Sequence, residues 1–220
     1  MSKLILYHGS PEIVQVPSAE KGKTYNDYGR GFYCTENIHL AKEWACNEGK
    51  DGFANIYELD LDGLKILNLS EERYSVLHWL ALLMEYRILR LSTPGMKRNS
   101  SWLKENYLID LSKYDAVVGY RADDSYFSFA RAFINNEISL EQLSVSMKLG
   151  ELGEQFVLKS DEAFRRIRFT GFENAESSVY YVLRKARDEA ARAAFAAEAE
   201  KEDIYGLYMR DITRKGGLVR

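Results

Sequence analysis

Short apolar runs closed by glycine, asparagine or aspartate recur along the chain as far as Phe169. Runs of this length, rich in β-branched and aromatic residues, predict strands. Asp62-Gly63 stands between two of them within residues 55–69, and this dipeptide is typical of a hairpin turn. The predicted strands cover residues 3–7, 31–35, two segments of 55–69, 115–120, 154–158 and 166–169.

Apolar residues spaced three to four positions apart fill several of the intervals between these runs. This spacing predicts helices, because such positions share one helix face. One strongly apolar helix is expected to stop before Pro94-Gly95, and another has Ser139 as its N-cap. The predicted helices cover residues 36–47, 74–91, 126–135 and 139–148, with a loop and a short helix within 95–107.

Beyond Gly171 the chain becomes rich in alanine and charge, and residues 174–202 contain neither glycine nor proline. This composition predicts one long helix. Its apolar positions form a narrow stripe, which suits packing against the rest of the chain or the docking of a partner helix. The stripe comprises Val179, Val182, Ala186, Ala190, Ala193 and Ala197. We therefore expect an α+β fold of short strands with inserted helices, a domain over residues 1–172, and a packed helical extension over 173–220.

The composition is that of a globular protein, with 46% hydrophobic and 29% charged residues among 220, which excludes a disordered chain. The net charge of −3 argues against a protein that holds nucleic acid by neutralising phosphates. No apolar run is long enough for a membrane span or a signal peptide, so we expect a cytoplasmic protein without membrane contact. Cys34, His39 and Cys46 lack the second close-spaced pair of a zinc site, so no metal is expected.

Two segments near the N-terminus carry residues suited to binding a flat, polar ligand. The first predicted strand leads into His8-Gly9-Ser10, which places an imidazole beside a backbone that a ligand can approach closely. The glycine leaves its N–H and C=O accessible to a planar amide. The second segment runs from a glycine loop through a strand with Tyr33 into a helix with Trp44. Two aromatic rings placed in this way can face each other across a slot for a flat ring.

Each of these residues also has an ordinary structural interpretation. A histidine after a strand is often a turn residue with local hydrogen bonds, and Tyr33 and Trp44 suit core packing. Gly29 and Gly31 suit the close of a hairpin. The presence of both segments in one chain is what favours a binding site over these separate interpretations.

Three motifs resemble the ADP-ribosyltransferase superfamily, in the His-Tyr branch that includes diphtheria toxin and the poly(ADP-ribose) polymerases. They are His8-Gly9-Ser10, Gly29-Arg30-Gly31-Phe32-Tyr33, and Trp44 where the branch usually has tyrosine. The likeness is greatest to a group of small bacterial proteins with LYHGS and GFYxT motifs. It implies a split β-sandwich with NAD⁺ as co-substrate.

The resemblance also assigns roles to the residues of these motifs. It implies that His8 binds a ribose hydroxyl of the adenosine half and that the Gly9 backbone holds the nicotinamide carboxamide. Ser10 would assist beside them. Tyr33 and Trp44 would enclose the nicotinamide ring.

The third element of the superfamily is a glutamate at the start of a later strand, and here the chain departs from the pattern. Aligning the segment Glu154-Gln155-Phe156 on its aromatic residue puts Gln155 at the catalytic position. Breaking the nicotinamide–ribose bond develops positive charge on the sugar, which a carboxylate stabilises better than an amide. Glu154 should point to the opposite face of the strand. Asp123 and Asp124 are the expected substitutes, although an aspartate pair there also suits a helix N-cap.

The resemblance implies a NAD⁺-dependent mono-ADP-ribosyltransferase, and a bacterial toxin or defence effector fits this class. Its acceptor is a macromolecule, with protein and nucleic acid both open, and a cognate antitoxin is a further partner of such an effector. Two alternatives stay open. One is a non-catalytic NAD⁺- or ADP-ribose-binding module that acts through a partner on the C-terminal helix, and the other is an NAD⁺ hydrolase.

Overall fold

The computed structural model of the chain describes residues 2–122, 124–147 and 153–216, with the side chains of residues 124–126 left aside. Strands and helices are interspersed along this part of the chain, which confirms the α+β class. The strands are β1 (Lys3–Ser10), β2 (Phe32–Cys34), β3 (Gly52–Asp60), β4 (Ile66–Asn68), β5 (Ala116–Tyr120), β6 (Glu154–Leu158) and β7 (Ile167–Ala175). The helices are α1 (Ile38–Ala45), α2 (Val76–Tyr86), α3 (Pro94–Tyr107), α4 (Asp124–Ile134), α5 (Leu140–Ser146), α6 (Asp161–Arg166), α7 (Ser177–Ala199) and α8 (Met209–Lys215), with a 3₁₀ turn at Leu111–Lys113.

The strands form two sheets. One is antiparallel, with three strands in the order β1-β3-β7. The other has four strands in the order β2-β6-β5-β4, in which β4 and β5 are parallel and the other pairs antiparallel. A bridge between Tyr7 and Thr35 joins β1 to the end of β2, so the two sheets meet beside the His8-Gly9-Ser10 motif.

The predicted hairpin at Asp62-Gly63 is wrong. A turn does occur there, since Gly63 has a φ of 79°. However, β3 pairs with β1 on one edge and with β7 on the other, which leaves no edge for β4. β4 pairs instead with β5 in the other sheet. The dipeptide therefore marks a crossing between sheets, because local turn chemistry does not determine which strands pair.

The remaining predicted elements are confirmed with shifted ends, and the structure adds two helices, α6 and α8. Pro94 does not only follow the preceding helix; it is the first residue of the 14-residue helix α3. The Thr93 hydroxyl caps this helix by accepting the Met96 N–H. Proline suits this position because the first helical N–H needs no partner inside the helix. The strand predicted at 166–169 continues as β7 to Ala175.

Two of the hydrophobic clusters pack the sheets and the helices together. Residues of both sheets form the first, in which Leu6 and Tyr57 of one sheet pack with Phe32 and Phe156 of the other. Helices α2 to α5 and α8 form the second against the four-stranded sheet, around the buried Trp79. No helix in the described part of the chain is long and apolar enough to cross a membrane.

The C-terminal region shares this core. Met209 and Ile212 of α8 are fully buried in the second cluster. The domain boundary expected at 172/173 falls inside β7, whose residues pair with β3 from Ile167 to Ala175. A division there would cut a paired strand.

Helix α7 packs through a face other than the predicted stripe. Phe195 packs on Phe129 with ring centroids 4.0 Å apart, and Arg187 pairs with the buried Glu43 of α1 at 2.9 Å. Ala191 is buried on the same side. All six residues of the small-residue stripe are exposed to solvent. The stripe is therefore not the packing face, because an aromatic ring and an arginine next to it make the contacts.

Candidate functional site

One cavity of about 790 Å³ brings together six of the predicted site residues, from three separate segments of the chain. They are His8, Gly9, Ser10, Tyr33, Trp44 and Gln155. Its size lies within the range of roughly 300–1,000 Å³ typical of small-molecule sites. Asp123 and the side chain of Asp124 lie outside the described residues, so their predicted role stays a prediction.

The edge of β1 presents the backbone of Gly9. In an antiparallel strand the N–H and C=O of one residue point the same way, and successive residues alternate. Tyr7 directs both groups away from β3, to Thr35, at 2.8 and 2.9 Å. Gly9 stands two residues further on, so it turns both of its groups to that same side, past the bridge. A donor and an acceptor side by side match the two groups of a planar amide.

Gly9 also lies so close to α1 that no side chain fits. An added Cβ would stand 2.0 Å from the Ala41 carbonyl oxygen and 2.8 Å from the Ala45 nitrogen. Glycine is therefore needed for packing as well as for ligand access. The close approach brings the helix that carries Trp44 against the edge of β1.

His8 is held in one orientation by the backbone of β2. Its Nδ1 lies 2.7 Å from the Tyr33 carbonyl oxygen. Because a carbonyl oxygen only accepts, we assign the proton to Nδ1, which leaves Nε2 as an acceptor. Burial lowers the pKa of His8, and the hydrogen bond to Tyr33 opposes this only in part. The neutral imidazole with an accepting Nε2 is therefore favoured.

The Tyr33 hydroxyl ties the preceding loop to β2. It donates to the Gly29 carbonyl at 2.6 Å and accepts from the Tyr28 N–H at 3.1 Å. Burial raises the pKa of Tyr33, so the hydroxyl stays protonated. Gly29 has a φ of 71°, in the region that favours glycine. The hydroxyl of Tyr33 thus makes its hydrogen bonds to the loop. A ligand in the cavity would contact the ring.

Trp44 lines the same cavity, but one face of its ring is already covered. The guanidinium carbon of Arg121 lies 3.9 Å from the ring centroid, a cation–π contact. A ligand ring between Tyr33 and Trp44 therefore needs the other face of the indole or a shift of Arg121. The buried indole Nε1 has no hydrogen-bond partner among the described residues. Buried donors are normally satisfied, so a ligand oxygen in the cavity would complete this group.

Gln155 is 4% exposed and lies in β6, between β2 and β5. Its Nε2 donates to Asp27 Oδ2 at 2.7 Å and to the Tyr120 carbonyl at 3.2 Å. The neighbouring Glu154 is exposed and accepts a hydrogen bond from the Ser70 hydroxyl. Unlike Gln155, Glu154 does not line the large cavity. Gln155 also lines a second cavity, of about 360 Å³.

Sequence analysis missed the charged residues of the large cavity. Asp27 belongs to a polar loop, and Arg87 and Arg121 each follow the end of an apolar element, where nothing local marks them. Folding brings Arg87 Nη1 within 3.6 Å of Asp27 Oδ1. The cations that line the cavity are Lys21, Lys23, Arg87 and Arg121, and the carboxylates are Glu12 and Asp27. This excess of positive charge suits a ligand that carries phosphate groups.

The described residues contain no group of three His, Cys, Asp or Glu side chains that could hold a metal ion. Cys34 and Cys46 are buried free thiols. Burial raises the pKa of Cys34, so its reactive thiolate form is disfavoured. Neither cysteine lines the large cavity.

Residues 4–169 match a family model described as "Protein of unknown function (DUF3990)". The match covers most of the chain, so the protein belongs to this family. It includes all of β1 except Lys3, the strands β2 to β6 and all the segments that line the large cavity. No curated protein and no solved structure matches the chain.

Proposed function

We propose that this protein is a NAD⁺-dependent ADP-ribosyltransferase that transfers single ADP-ribose units to a macromolecular acceptor. The observation that carries the proposal is the meeting of six motif residues, from three separate segments, in one cavity of suitable size. The two sheets packed over a shared cluster also fit a split β-sandwich.

The edge of β1 suits the nicotinamide half of NAD⁺. The carboxamide has one donor and one acceptor side, which match the C=O and N–H that Gly9 turns away from β3. The Nε2 of His8 accepts a ribose hydroxyl in the neutral form that burial favours. The ring of Tyr33 supplies a flat surface in the same cavity.

Two buried polar atoms test whether the cavity fits NAD⁺. Trp44 Nε1 needs an acceptor and Asp27 Oδ1 needs a donor, and neither has a hydrogen-bond partner among the described residues. NAD⁺ carries both kinds of group, since its diphosphate accepts and its ribose hydroxyls donate. The cations around the cavity balance the charge of the diphosphate.

Release of nicotinamide from NAD⁺ tests the proposal directly. We expect the purified protein to release nicotinamide, and adenine-labelled NAD⁺ to leave label on protein or nucleic acid of a bacterial extract. Protease and nuclease digestion of the labelled product then identify the acceptor class. An inactive, well-folded protein that binds no NAD⁺ in calorimetry would contradict the proposal.

A matched pair of histidine variants tests the site. His8→Ala should weaken NAD⁺ binding by about 1–3 kcal/mol, because a ribose hydroxyl loses its partner in a partly buried site. His39→Ala is the control, since His39 is exposed on α1 and does not line the cavity. Equal affinities for the two variants in calorimetry would remove His8 from the site.

A second candidate function is a non-catalytic NAD⁺-binding module. Gln155 favours it, because an amide stands where the superfamily places its glutamate. The exposed stripe on α7 leaves a face for the partner through which such a module would act. Binding of NAD⁺ without release of nicotinamide, at any protein concentration, would favour the module over the transferase.

A further inference from the structure

A buried carboxylate stands beside Gln155 in the cavity. Asp27 is 5% exposed and comes from the loop between β1 and β2. Its Oδ2 accepts the Ala122 N–H at 2.9 Å and the Gln155 amide at 2.7 Å. Both Asp27 and Gln155 line the cavity that holds His8 and Tyr33. The loop thus delivers an anion to the position at which the sequence motif has an amide.

The partners of Gln155 fix the orientation of its amide. Asp27 Oδ2 and the Tyr120 carbonyl oxygen are both acceptors, so the NH₂ group must face them. A glutamate at this position would set two carboxylates against each other, which raises the pKa of one of them sharply. The amide is therefore the side chain that suits a site in which Asp27 already supplies the charge.

One oxygen of Asp27 makes an ion pair with Arg87 but no hydrogen bond within the described part of the chain. Oδ2 takes both hydrogen bonds, whereas Oδ1 is buried and has no hydrogen-bond partner among the described residues. Arg87 Nη1 lies 3.6 Å from Oδ1, which is too long for a hydrogen bond. A buried carboxylate oxygen without a donor is costly, unless a bound group completes it.

We propose that Asp27 is the catalytic carboxylate of this site, with Oδ1 against the reacting ribose and Gln155 as the residue that positions it. The inference rests on the proposed function and adds the charged group that the sequence motif lacks. A residue of the loop between β1 and β2 would then do what a strand glutamate does in the superfamily.

The bond between C1′ of the ribose and the nicotinamide nitrogen breaks, and its electron pair leaves with neutral nicotinamide. The positive charge of NAD⁺ passes to C1′ and the ring oxygen, where the Asp27 carboxylate stabilises it. An oxygen or nitrogen of the acceptor forms the new bond to C1′, and its proton is released to water.

The surroundings of Asp27 strengthen such an interaction. Charges interact more strongly in a site that excludes water. Burial raises the pKa of Asp27, while the hydrogen bonds from Ala122 and Gln155 and the charges of Arg87 and Arg121 oppose that rise. These four groups support the ionised form that the step needs.

Asp27→Asn removes the charge and keeps the shape. The amide oxygen can replace Oδ2, which already takes both hydrogen bonds. We expect kcat for nicotinamide release to fall about 100-fold or more, as single electrostatic deletions do in other enzymes. The Kd for NAD⁺ should change by only a few fold. Asp188→Asn removes a carboxylate of α7 that does not line the cavity, and this variant should keep the wild-type rate.

A charge swap separates catalysis from support of the loop. Asp27→Asn combined with Gln155→Glu returns one carboxylate to the pair, and the new amide at position 27 can donate to it. The Tyr120 carbonyl keeps the hydrogen bonds from Tyr28 and Trp79 in this variant. We expect the swap to recover at least tenfold of the lost rate. Loss of a loop anchor alone would not be rescued by a charge at position 155.

Four outcomes would overturn the assignment. One is a folded Asp27→Asn variant with the wild-type kcat, and another is a folded swap no faster than Asp27→Asn. If wild-type protein releases no nicotinamide, the proposed function fails and the assignment with it. If thermal melts show that Asp27→Asn does not fold, the swap alone decides: a rate within tenfold of wild type supports the assignment, and a slower folded swap overturns it.

Discussion

The two sides of the cavity are built in different ways. On the β1 side, His8 and Gly9 are neighbours in one strand, and they pack against β2 and α1, the next two elements of the chain. On the β6 side, Asp27 and Gln155 stand 128 positions apart and meet only because a loop folds over the sheet. The first side is a local motif, whereas the second is a product of the tertiary fold.

Because the two sides are built differently, we expect different kinds of substitution to disrupt them. The β1 side depends on the close approach of a strand to a helix, so added volume should break it. The β6 side depends on a loop held by hydrogen bonds, so removing one bond should loosen it without unfolding the protein.

The largest effect is expected from Gly9→Ala. The new Cβ would meet the Ala41 carbonyl oxygen at 2.0 Å, and both backbones belong to regular elements that cannot yield locally. We expect the free energy of unfolding to fall by about 3 kcal/mol or more, the upper range for overpacking a core. Urea denaturation followed by circular dichroism measures this change.

Gly171→Ala is the matched control for Gly9→Ala. Gly171 lies in β7, with no atom within 4 Å of an added Cβ and no positive φ. Its unfolding free energy should stay within about 0.5 kcal/mol of wild type. Similar losses for both variants would show that the effect comes from β-strand glycine in general and not from the contact with α1.

Sequence pattern, together with the family resemblance, singled out the residues of the β1 side because they lie in two short segments of the chain. The His8-Gly9-Ser10 motif and the aromatic residues of the next strand and helix could be recognised without knowing the fold. Asp27 could not, because a carboxylate in a polar loop has no feature that distinguishes it from a solvated one. Only the folded chain shows that it is buried against Gln155.

The contrast between local motifs and tertiary contacts also explains where the predicted fold was wrong. The position of β4 depends on β3 being paired on both edges, which no local pattern indicates. The stripe on α7 was identified from apolar residues alone, but the contacts of this helix come from Arg187 and Phe195 on another face. Local periodicity predicted the helices and strands, but it did not predict which of them pair or pack against each other.

A smaller effect is expected from Tyr33→Phe, which tests the loop that carries Asp27. The change removes a hydroxyl that bonds Gly29 and Tyr28, and leaves a carbonyl and an N–H in need of partners. We expect a loss of about 1–2 kcal/mol in the free energy of unfolding. NAD⁺ should also bind more weakly in calorimetry, because the loop is less well ordered.

Tyr25→Phe is the control for Tyr33→Phe. Tyr25 lies in the same loop, is 46% exposed and, among the described residues, makes a cation–π contact with Lys23 through its ring. Loss of the Tyr25 hydroxyl should leave the free energies of unfolding and of NAD⁺ binding unchanged within about 0.5 kcal/mol. If Tyr33→Phe is equally silent, the loop is held by other contacts, such as the Lys159 ammonium on the Tyr28 carbonyl.

The smallest effect is the pH dependence that His8 gives to stability. Burial lowers its pKa below the unfolded value of about 6.5, so below that pH the unfolded chain binds the extra proton first. The contribution of His8 is therefore fully present above about pH 6.5 and is lost as the pH falls further, by at most about 1.4 kcal/mol per pH unit.

His8→Gln keeps a polar side chain that does not titrate, and Asp27 titrates in both proteins. Above pH 6.5, the difference in unfolding free energy between wild type and His8→Gln should then stay constant. Below pH 6.5, the wild type should lose stability relative to the variant. A flat difference across the whole range would mean that His8 protonates as freely in the folded protein as in the unfolded one. Its Nε2 would then carry a proton in mildly acidic solution and could not serve as the acceptor for a ribose hydroxyl.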